Sequence, residues 1–386
     1  MRHVLKLVFK NAGRHKLRTF LTILGLALAV MAFGLIRTLI VAWYAGARAA
    51  APDRLVTRHA VSISFTLPIA YKEQILKIDG VEDVTYACWF GGIYVDPKNF
   101  FPQFAVDHES YFKIVPEFIV PPDQFEAFAA ERRGIIVGRK LADRYGWNIG
   151  DAITLIGTIY PGDWEFIIKG IYKGKDQDTD ETLFFMRFDY LDEVMKRESP
   201  GRAGEVGWYA LKISDPNRAA EISAAVDSRF DNSWAETRTE TEKEFQLSFI
   251  QLTSVIITGL RIISYLIIGV ILLVLVNTMT MTARERISEN AFMRILGFRA
   301  YHLIGLILGE SLFIAVCGGV VGMILLAMVG NLVGVALSLY FPGFQPDLWT
   351  YLSIMAAALI VGGIASIFPI QRALGIKIVD GLRIGD

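Results

Sequence analysis

The residues best suited to chemistry lie in one short charged segment between two long apolar runs. Glu285, Arg286, Glu289 and Arg294 interrupt otherwise apolar sequence there. Carboxylate and guanidinium groups form strong charge-assisted hydrogen bonds, and arginine can make two of them at once. A charged, helix-forming connector between two spans is a place where a membrane protein can be pushed from the cytoplasm; the alternative is that these residues only cap and solvate a cytoplasmic turn.

The motifs of an energy-converting enzyme are absent from the sequence. The chain has no GxxxxGK[ST] nucleotide-binding loop, and GIYKGK at residues 170–175 lacks both its spacing and its hydroxyl residue. No GxSxG turn occurs, and the five histidines are too scattered for a zinc site. The two cysteines, Cys88 and Cys317, fall in different kinds of sequence and predict no disulfide. Any energy must then come from another chain.

The composition is that of an integral membrane protein with one large soluble domain. The chain has 386 residues, of which 53% are hydrophobic and 20% charged, with a mean hydropathy of +0.41. An ordinary soluble domain is less apolar and more charged. The excess lies in four blocks, each long enough to cross a hydrocarbon core of about 30 Å.

The net charge of zero conceals two opposite parts. Residues 44–252 hold 24 of the 39 Lys and Arg residues and 33 of the 39 Asp and Glu residues, which leaves 15 basic and 6 acidic residues elsewhere. Basic residues beside spans mark the cytoplasmic side. We therefore expect the inner membrane, both termini in the cytoplasm, and the acidic domain in the periplasm. An acidic domain also disfavours nucleic acid as a partner.

These patterns divide the chain into nine segments. Residues 1–18 are either an amphipathic helix in the headgroup layer or a basic topology signal without a defined fold. The remaining segments are span one at 19–43, the outside domain with a stalk at 44–252, span two at 253–281, a cytoplasmic connector at 282–302, span three at 303–339, an outer loop at 340–349, span four at 350–370, and a cytoplasmic tail at 371–386.

The soluble block alternates helix and strand signals and predicts an α+β domain of two lobes. Residues 61–67 alternate apolar and polar side chains, which is typical of a strand. Residues 236–252 contain no Gly or Pro and predict a helical stalk that continues the second span. The acidic run at residues 176–181 lacks the glycine of a calcium-binding EF-hand loop and predicts a solvated loop.

Three charged residues fall inside the apolar runs. Glu310 lies about two turns into the third span, and we expect it to face protein as a hydrogen-bonding anchor, because exposing a carboxylate to lipid is costly. Arg37 and Arg261 lie near the outer ends of their spans. We expect both to reach toward the interface, with pairing inside the bundle open for Arg261. The third span is also long enough to tilt, or to bend at Gly318 and Gly319.

The connector resembles that of the FtsX/MacB-type ABC transporter permeases. The resemblance rests on the pattern N…ER..E….R.LG, which is matched by Asn277, Glu285, Arg286, Glu289, Arg294, Leu296 and Gly297. Further matches lie at Lys16 to Thr19, Leu24 and Gly25, at Glu310, and at Pro369, Arg372, Ala373, Leu382 and Arg383, with similar turns at Gly138, Gly150, Asp151 and Gly170. Asn290 and Ala291 depart from the usual Ile-Gly, and residues 376–380 lack the usual proline.

The resemblance implies a fold of four transmembrane helices with a large α+β extracytoplasmic domain, porter-like and sabre-like, inserted between helices one and two. It implies a pair of permeases, each binding a separate ABC-type ATPase that holds ATP and Mg²⁺, with no cofactor or catalytic residue in this chain. The implied docking residues on the connector are Glu285, Arg286, Ile287, Glu289, Phe292, Arg294, Ile295 and Gly297, with Phe298 beside them. Closure of the ATPases would then move the outside domain.

Three functions are compatible with the resemblance. The first is export or extraction of a substrate at the outer face of the membrane, with a periplasmic adaptor protein as a possible partner. The second is an FtsX-like signal transducer that activates a cell-wall hydrolase, and the third is release of lipoproteins. The size of the outside domain favours the exporter over the FtsX-like branch. An independent channel is disfavoured, because no span carries a polar stripe for a hydrated pore.

Overall fold

The computed structural model describes residues 16–176, 179–337, 341 and 344–375. Within it the chain forms two compact units. One, the membrane unit, contains the described parts of residues 1–42, 254–336 and 344–386, and the other, the outside domain, contains residues 43–253 with the adjoining residues of 337–343. The expected features of residues 1–15, the outer loop at 340, 342 and 343, and the tail from residue 376 lie outside the described residues.

Four helices of the membrane unit are long and apolar enough to cross a bilayer. At 1.5 Å per residue, even the 28-residue helices exceed a hydrocarbon core of about 30 Å. Many of their leucine, isoleucine and valine side chains are exposed, as lipid-facing positions should be. The four helices are α1 (Lys16–Trp43), α10 (Ser254–Glu285), α12 (Ala300–Leu337) and α13 (Leu348–Gly375).

The third span, α12, is one unbroken helix and does not end at Gly318 or Gly319. These glycines serve packing instead. A Cβ built on Gly318 would lie 2.4 Å from the Leu26 side chain, and one on Gly322 would lie 2.8 Å from the Ala27 carbonyl oxygen. The absence of side chains therefore lets α1 and α12 approach closely, which is how membrane helices gain contact area.

The outside domain is mixed α/β, as expected. Its helices are α2 (Ala45–Ala49), α3 (Tyr71–Ile75), α4 (Tyr111–Ile114), α5 (Pro122–Ala130), α6 (Arg139–Tyr145), α7 (Phe188–Glu198), α8 (Ala219–Arg229) and α9 (Glu242–Leu252). Its strands are β1 (Arg54–His59), β2 (Leu67–Pro68), β3 (Val81–Trp89), β4 (Gly92–Ile93), β5 (Gln103–Val106), β6 (Phe118–Ile119), β7 (Gly134–Gly138), β8 (Ala152–Gly157), β9 (Gly162–Gly174), β10 (Phe184–Arg187), β11 (Glu205–Val206), β12 (Trp208–Ile213) and β13 (Thr237–Thr241).

One sheet path runs through both halves of this domain. Its order is β13-β1-β12-β3-β5-β10-β7-β9-β8-β4, with β6 paired to β9, and β11 pairs separately with β2. The β10–β5 and β7–β9 pairs are parallel, and the other pairs are antiparallel. One large core of buried aromatic and aliphatic side chains extends along this sheet, with smaller core clusters beside it. The two predicted lobes therefore share a continuous framework.

Two local predictions in this domain were wrong. Residues 61–67 form a loop up to the short β2, because Val61 is 76% exposed and the alternating side chains find no surface to bury them. The strand lies earlier, in β1. Arg54 and Thr57 of β1 are buried although they are polar, so β1 shows no alternation of apolar and polar residues in the sequence. Residues 236–252 contain β13 before helix α9, and Thr241 begins α9 with a capping box to Glu244. Thr253 then separates α9 from α10.

Asp180 and Glu181 of the acidic run are hydrogen-bonded within the chain, whereas residues 177 and 178 of that run lie outside the described residues. The Asp180 carboxylate accepts hydrogen bonds from the Thr182 amide and hydroxyl at 2.8 and 2.6 Å. Glu181 accepts one from the Gly174 amide at 2.8 Å. Burial raises the pKa of Asp180. These carboxylates thus shape the loop itself, and the described residues hold no cluster of three or more potential metal ligands.

Candidate functional site: the connector between the second and third spans

The connector is a short helix set between two breaks. Helix α10 ends at Glu285, Arg286 leaves the helical conformation, and α11 (Ile287–Ile295) follows. Gly297 then adopts φ +89°, a left-handed conformation that glycine tolerates best, and α12 begins at Ala300. The sequence thus bounds a separate helix that is free to lie at an angle to both spans.

Arg286 is buried and forms an ion pair inside the chain. Its guanidinium donates to both carboxylate oxygens of Glu310, on α12, at 2.7 and 3.3 Å. Both side chains are almost completely shielded from solvent. A paired, hydrogen-bonded carboxylate is the form in which a membrane helix can hold an acid. Glu310 thus lies at a protein contact, and the charge of Arg286 is directed inward.

Glu285 pairs with the first span. Arg18 donates from both terminal nitrogens to the two Glu285 oxygens, each at 2.8 Å, which is the bidentate geometry that favours arginine. The pair is half-exposed. It joins residues 267 positions apart in the sequence and therefore fastens the end of α10 to the start of α1.

Arg294 reaches the fourth span. Its guanidinium donates to the Leu374 carbonyl oxygen at 3.2 Å, near the last residue of α13. A cation at a helix C-terminus also interacts favourably with the helix dipole. Through Arg286, Glu285 and Arg294, the connector region therefore contacts all three other elements of the bundle: α12, α1 and α13.

The outer surface of the connector is largely apolar. Phe292 and Phe298 are 58% and 45% exposed, and Ile295, Leu296 and Tyr301 are also exposed. Ile287 is half-buried and Glu289 is exposed. Exposed apolar side chains gathered on one short segment are a feature that protein-binding surfaces share. Of the expected docking residues, the structure thus leaves Phe292, Ile295 and Glu289 outward, while Arg286 faces the bundle.

The other two embedded charges lie at the opposite end of the bundle. Arg261 is exposed on α10, and Arg37 on α1 is half-buried, with its Nε buried. Neither lies near the connector in the chain, so neither takes part in the contacts of the connector described above.

Arg18 and Leu374 contact the connector but were not predicted to do so. Arg18 stood in a recognised motif, but its partner depends on how the spans pack.

Two family descriptions match this chain and together span most of it. Residues 19–229 match the MacB-like periplasmic core domain. Residues 261–378 match the FtsX-like permease C-terminal family, which includes the connector and the last three spans. The first match covers the first span and most of the outside domain, and the second match covers the later spans.

Curated relatives are distant in sequence but similar in extent. An uncharacterized ABC transporter permease of Methanocaldococcus jannaschii is 22% identical over 98% of this chain and 97% of its own length. The lipoprotein-releasing system transmembrane protein LolC of Neisseria meningitidis is 23% identical over 68% of each chain.

Solved structures similar to this chain are isolated outside domains. The periplasmic region of MacB from Actinobacillus actinomycetemcomitans covers 52% of this chain and 94% of its own, with 13% identity and a TM-score of 0.37. The extracellular domain of the ABC-type transporter YknZ from Gram-positive bacteria covers 49% and 99%, with 12% identity and a TM-score of 0.36.

Proposed function

Because the chain belongs to the FtsX/MacB-type ABC transporter permeases, we propose that it is the membrane subunit of an ATP-driven exporter or extractor. A separate ABC-type ATPase would bind ATP and Mg²⁺ and dock on the connector. The permease would act on a substrate at the outer face of the inner membrane. The observation that carries this proposal is the connector, which presents apolar side chains outward while its polar side chains fasten it to the other spans.

The exposed aromatic residues supply the docking surface. Phe292 and Phe298 are large, rigid and accessible, which are properties shared by residues that dominate binding energy at interfaces. The charges expected from sequence to meet the ATPase have a different task in this proposal. Arg286 and Arg294 hold the connector in place, and Glu289 is left at its surface.

The inward contacts would spread the movement of the ATPase to the whole bundle. A push on α11 acts on α12 through Arg286 and Glu310, on α1 through Glu285 and Arg18, and on α13 through Arg294. Charge-assisted hydrogen bonds hold such a linkage at fixed geometry better than apolar contacts alone. The spans would therefore respond together rather than one at a time.

Within the outside domain, the stalk helix α9 is firmly held at its start. Buried Arg54 on β1 donates to Glu242 of α9 at 2.9 and 3.0 Å and to Glu117 at 2.9 Å. The Ala51 amide also donates to Glu242 at 2.8 Å. Since only Thr253 separates α9 from α10, movement of the second span would be passed to the sheet through this cluster.

Substitution of the two exposed aromatics tests the docking surface. We expect Phe292→Ser with Phe298→Ser to lower co-purification with the cognate ATPase by at least about tenfold, because the loss of two buried aromatic anchors costs roughly 2 kcal/mol or more. The matched control is Phe20→Ser, which replaces an equally exposed phenylalanine on α1. Undiminished ATPase binding by the double variant, with the control also bound, would refute the docking assignment.

A second function, lipoprotein release, is favoured by the match to LolC of Neisseria meningitidis. The two functions differ in what leaves the membrane. In proteoliposomes with the ATPase, lipoprotein release predicts ATP-dependent transfer of a lipid-anchored protein to the soluble fraction. The exporter predicts ATP-dependent movement of an unanchored substrate. Partners such as a second permease copy and a periplasmic adaptor belong to the same proposal and are identified by cross-linking of the intact complex.

A further inference from the structure

Three spans carry buried polar atoms that lack hydrogen-bond partners toward one end of the membrane unit, whereas His302 Nδ1 of α12 is such an atom at the connector end. We call the end with the three spans' atoms the outer end, where α1 ends and α10 and α13 begin. The three atoms are Arg37 Nε, Ser264 Oγ and Thr350 Oγ1, and none has a partner among the described residues. Ser264 is 6% exposed and Thr350 is 0% exposed. Polar groups shielded this well normally have a partner.

Other hydroxyl groups in the same helices do find partners. Most donate to the backbone carbonyl one turn earlier, which is the usual solution in a membrane helix. These are Thr22, Thr38, Thr278, Thr280 and Thr282. Ser264 has no such bond, and Thr350, as the third residue of α13, has no helical carbonyl one turn earlier. Both hydroxyl groups thus lack a hydrogen-bond acceptor within the described part of the chain in this conformation.

Each of the three polar residues lies one helical turn from a residue that lines one narrow apolar crevice. The crevice lies between α1, α10 and α13, and its walls are aliphatic and aromatic. Residues four apart share a helix face, so each polar residue stands one turn outward from a residue that lines the crevice. Those lining residues are Phe33 for Arg37, Ile268 for Ser264, and Ile354 for Thr350.

A cation and two hydroxyl groups above an apolar crevice match an amphiphile with an anionic head. Arg37 lies six residues before the end of α1, about 9 Å along the helix, and the Arg37 side chain can extend outward from there. This depth is close to the glycerol and phosphate groups of a bilayer leaflet. Arginine binds phosphate in a bidentate manner, and hydroxyl groups can donate to the remaining oxygens.

We propose that the outer ends of α1, α10 and α13 form a binding site for one phospholipid. In an opened arrangement of the spans, Arg37 holds the lipid phosphate, Ser264 and Thr350 donate to its oxygens, and an acyl chain lies along the widened crevice, whose closed volume is only about 10 Å³. The site lies within a single chain and does not depend on the ATPase.

The conformation described here is closed to such a ligand. A Cβ built on Gly34 of α1 would lie 2.6 Å from Leu326 and 2.7 Å from Ile354, so α1 is packed tightly at this level. Of the three polar residues, only the half-buried Arg37 can be reached by a ligand from the outer end. The lipid gains all three polar partners when α1 moves away from α10 and α13. Binding therefore favours an opened arrangement of the spans.

The test measures lipid binding to the delipidated full chain in detergent, by native mass spectrometry. The probes are a short-chain phosphatidylglycerol, the matching diacylglycerol without phosphate, and glycerol phosphate without acyl chains. We expect phosphatidylglycerol to bind at least about tenfold more tightly than either fragment, because each fragment loses one half of the contacts. Arg37→Gln should weaken phosphatidylglycerol binding by about tenfold, and Ser264→Ala with Thr350→Val by several-fold.

Matched controls replace groups of the same type elsewhere. Thr258→Val removes an exposed hydroxyl group from α10, and Arg48→Gln removes an exposed cation from α2; both should leave binding within about twofold. The lipid-free Ser264→Ala, Thr350→Val variant should melt no lower than the wild type, since it removes unsatisfied buried hydroxyl groups. Loss of binding in that variant is then not a loss of folding.

Three results would overturn the proposal. The first is phosphatidylglycerol binding that survives Arg37→Gln. The second is an equal loss in the Thr258 or Arg48 control, which would show general contact with surrounding lipid. The third is glycerol phosphate or diacylglycerol binding as tightly as the intact lipid, which would show a free-phosphate site or a purely apolar one.

Discussion

At the scale of single residues, Arg286 belongs to a motif that is visible in the sequence, but its partner, Glu310, is visible only in the structure. The glutamate and arginine of the connector were expected to face another protein. The structure instead places the Arg286 guanidinium against Glu310, where both are buried. A carboxylate in a span needs a cation or hydrogen-bond donors, and Arg286, the first residue after α10, supplies both. The pair accounts for both residues.

The Arg286–Glu310 pair predicts strong coupling between two substitutions. Arg286→Met or Glu310→Met alone should destabilise the chain by roughly 3–5 kcal/mol, because each leaves one buried charge unpaired. The double substitution should cost less than the sum of the two. Thermal unfolding of the four proteins in detergent gives the coupling energy as a double-mutant cycle. Additive losses would show that the two side chains do not depend on each other.

At the scale of elements, the contact between α1 and α12 depends on glycine. Gly322 faces the Ala27 carbonyl oxygen and the Val30 side chain, and a backbone oxygen cannot move aside as a flexible side chain can. Small residues at such crossings let two membrane helices come close enough for dense packing. The structure identifies α1 as the helix that Gly318 and Gly322 contact.

Gly322→Ala should therefore lower stability, by about 1–3 kcal/mol, since the added methyl group forces α1 and α12 apart. The matched control is Gly363→Ala on α13, where an added Cβ meets nothing within 4 Å. That control should be neutral or slightly stabilising, because alanine favours helix more than glycine does. Melting temperatures in one detergent decide the comparison. If both variants lost equal stability, the cause would be general and not the α1–α12 contact.

The stalk is the element that the sequence predicted least well. An unbroken helix was expected from residue 236, but the structure has a strand, a capped helix and a break at Thr253. β13 has polar residues at every position, so no alternation of apolar and polar side chains predicts a strand there. Its pairing with β1 makes it a strand, and its start next to α8 is held by Asp227, which accepts from the Thr239 amide and from two threonine hydroxyl groups. Strand formation there is a tertiary effect.

At the scale of the whole molecule, the charge asymmetry predicts a membrane topology that labelling can test. With Cys88 and Cys317 replaced, a single cysteine at Ser233 should react with an impermeant maleimide added outside the inner membrane. A single cysteine at Ser288 should react only after the membrane is opened, because the connector is expected in the cytoplasm. Ser288 is exposed and Ser233 is partly exposed. The reverse pattern would invert the proposed orientation.

The sequence by itself determined the class of the molecule, its four spans and its connector, because these are properties of consecutive residues. Apolar length, charge balance and a short motif need no knowledge of neighbours distant in the chain. Only the tertiary structure decided which charges pair, since Arg18 and Glu285 are 267 residues apart. It also decided that Phe33, Ile268 and Ile354, from three different spans, line one crevice. Such residues come together when helices pack, and helix packing depends on the side chains of several segments at once.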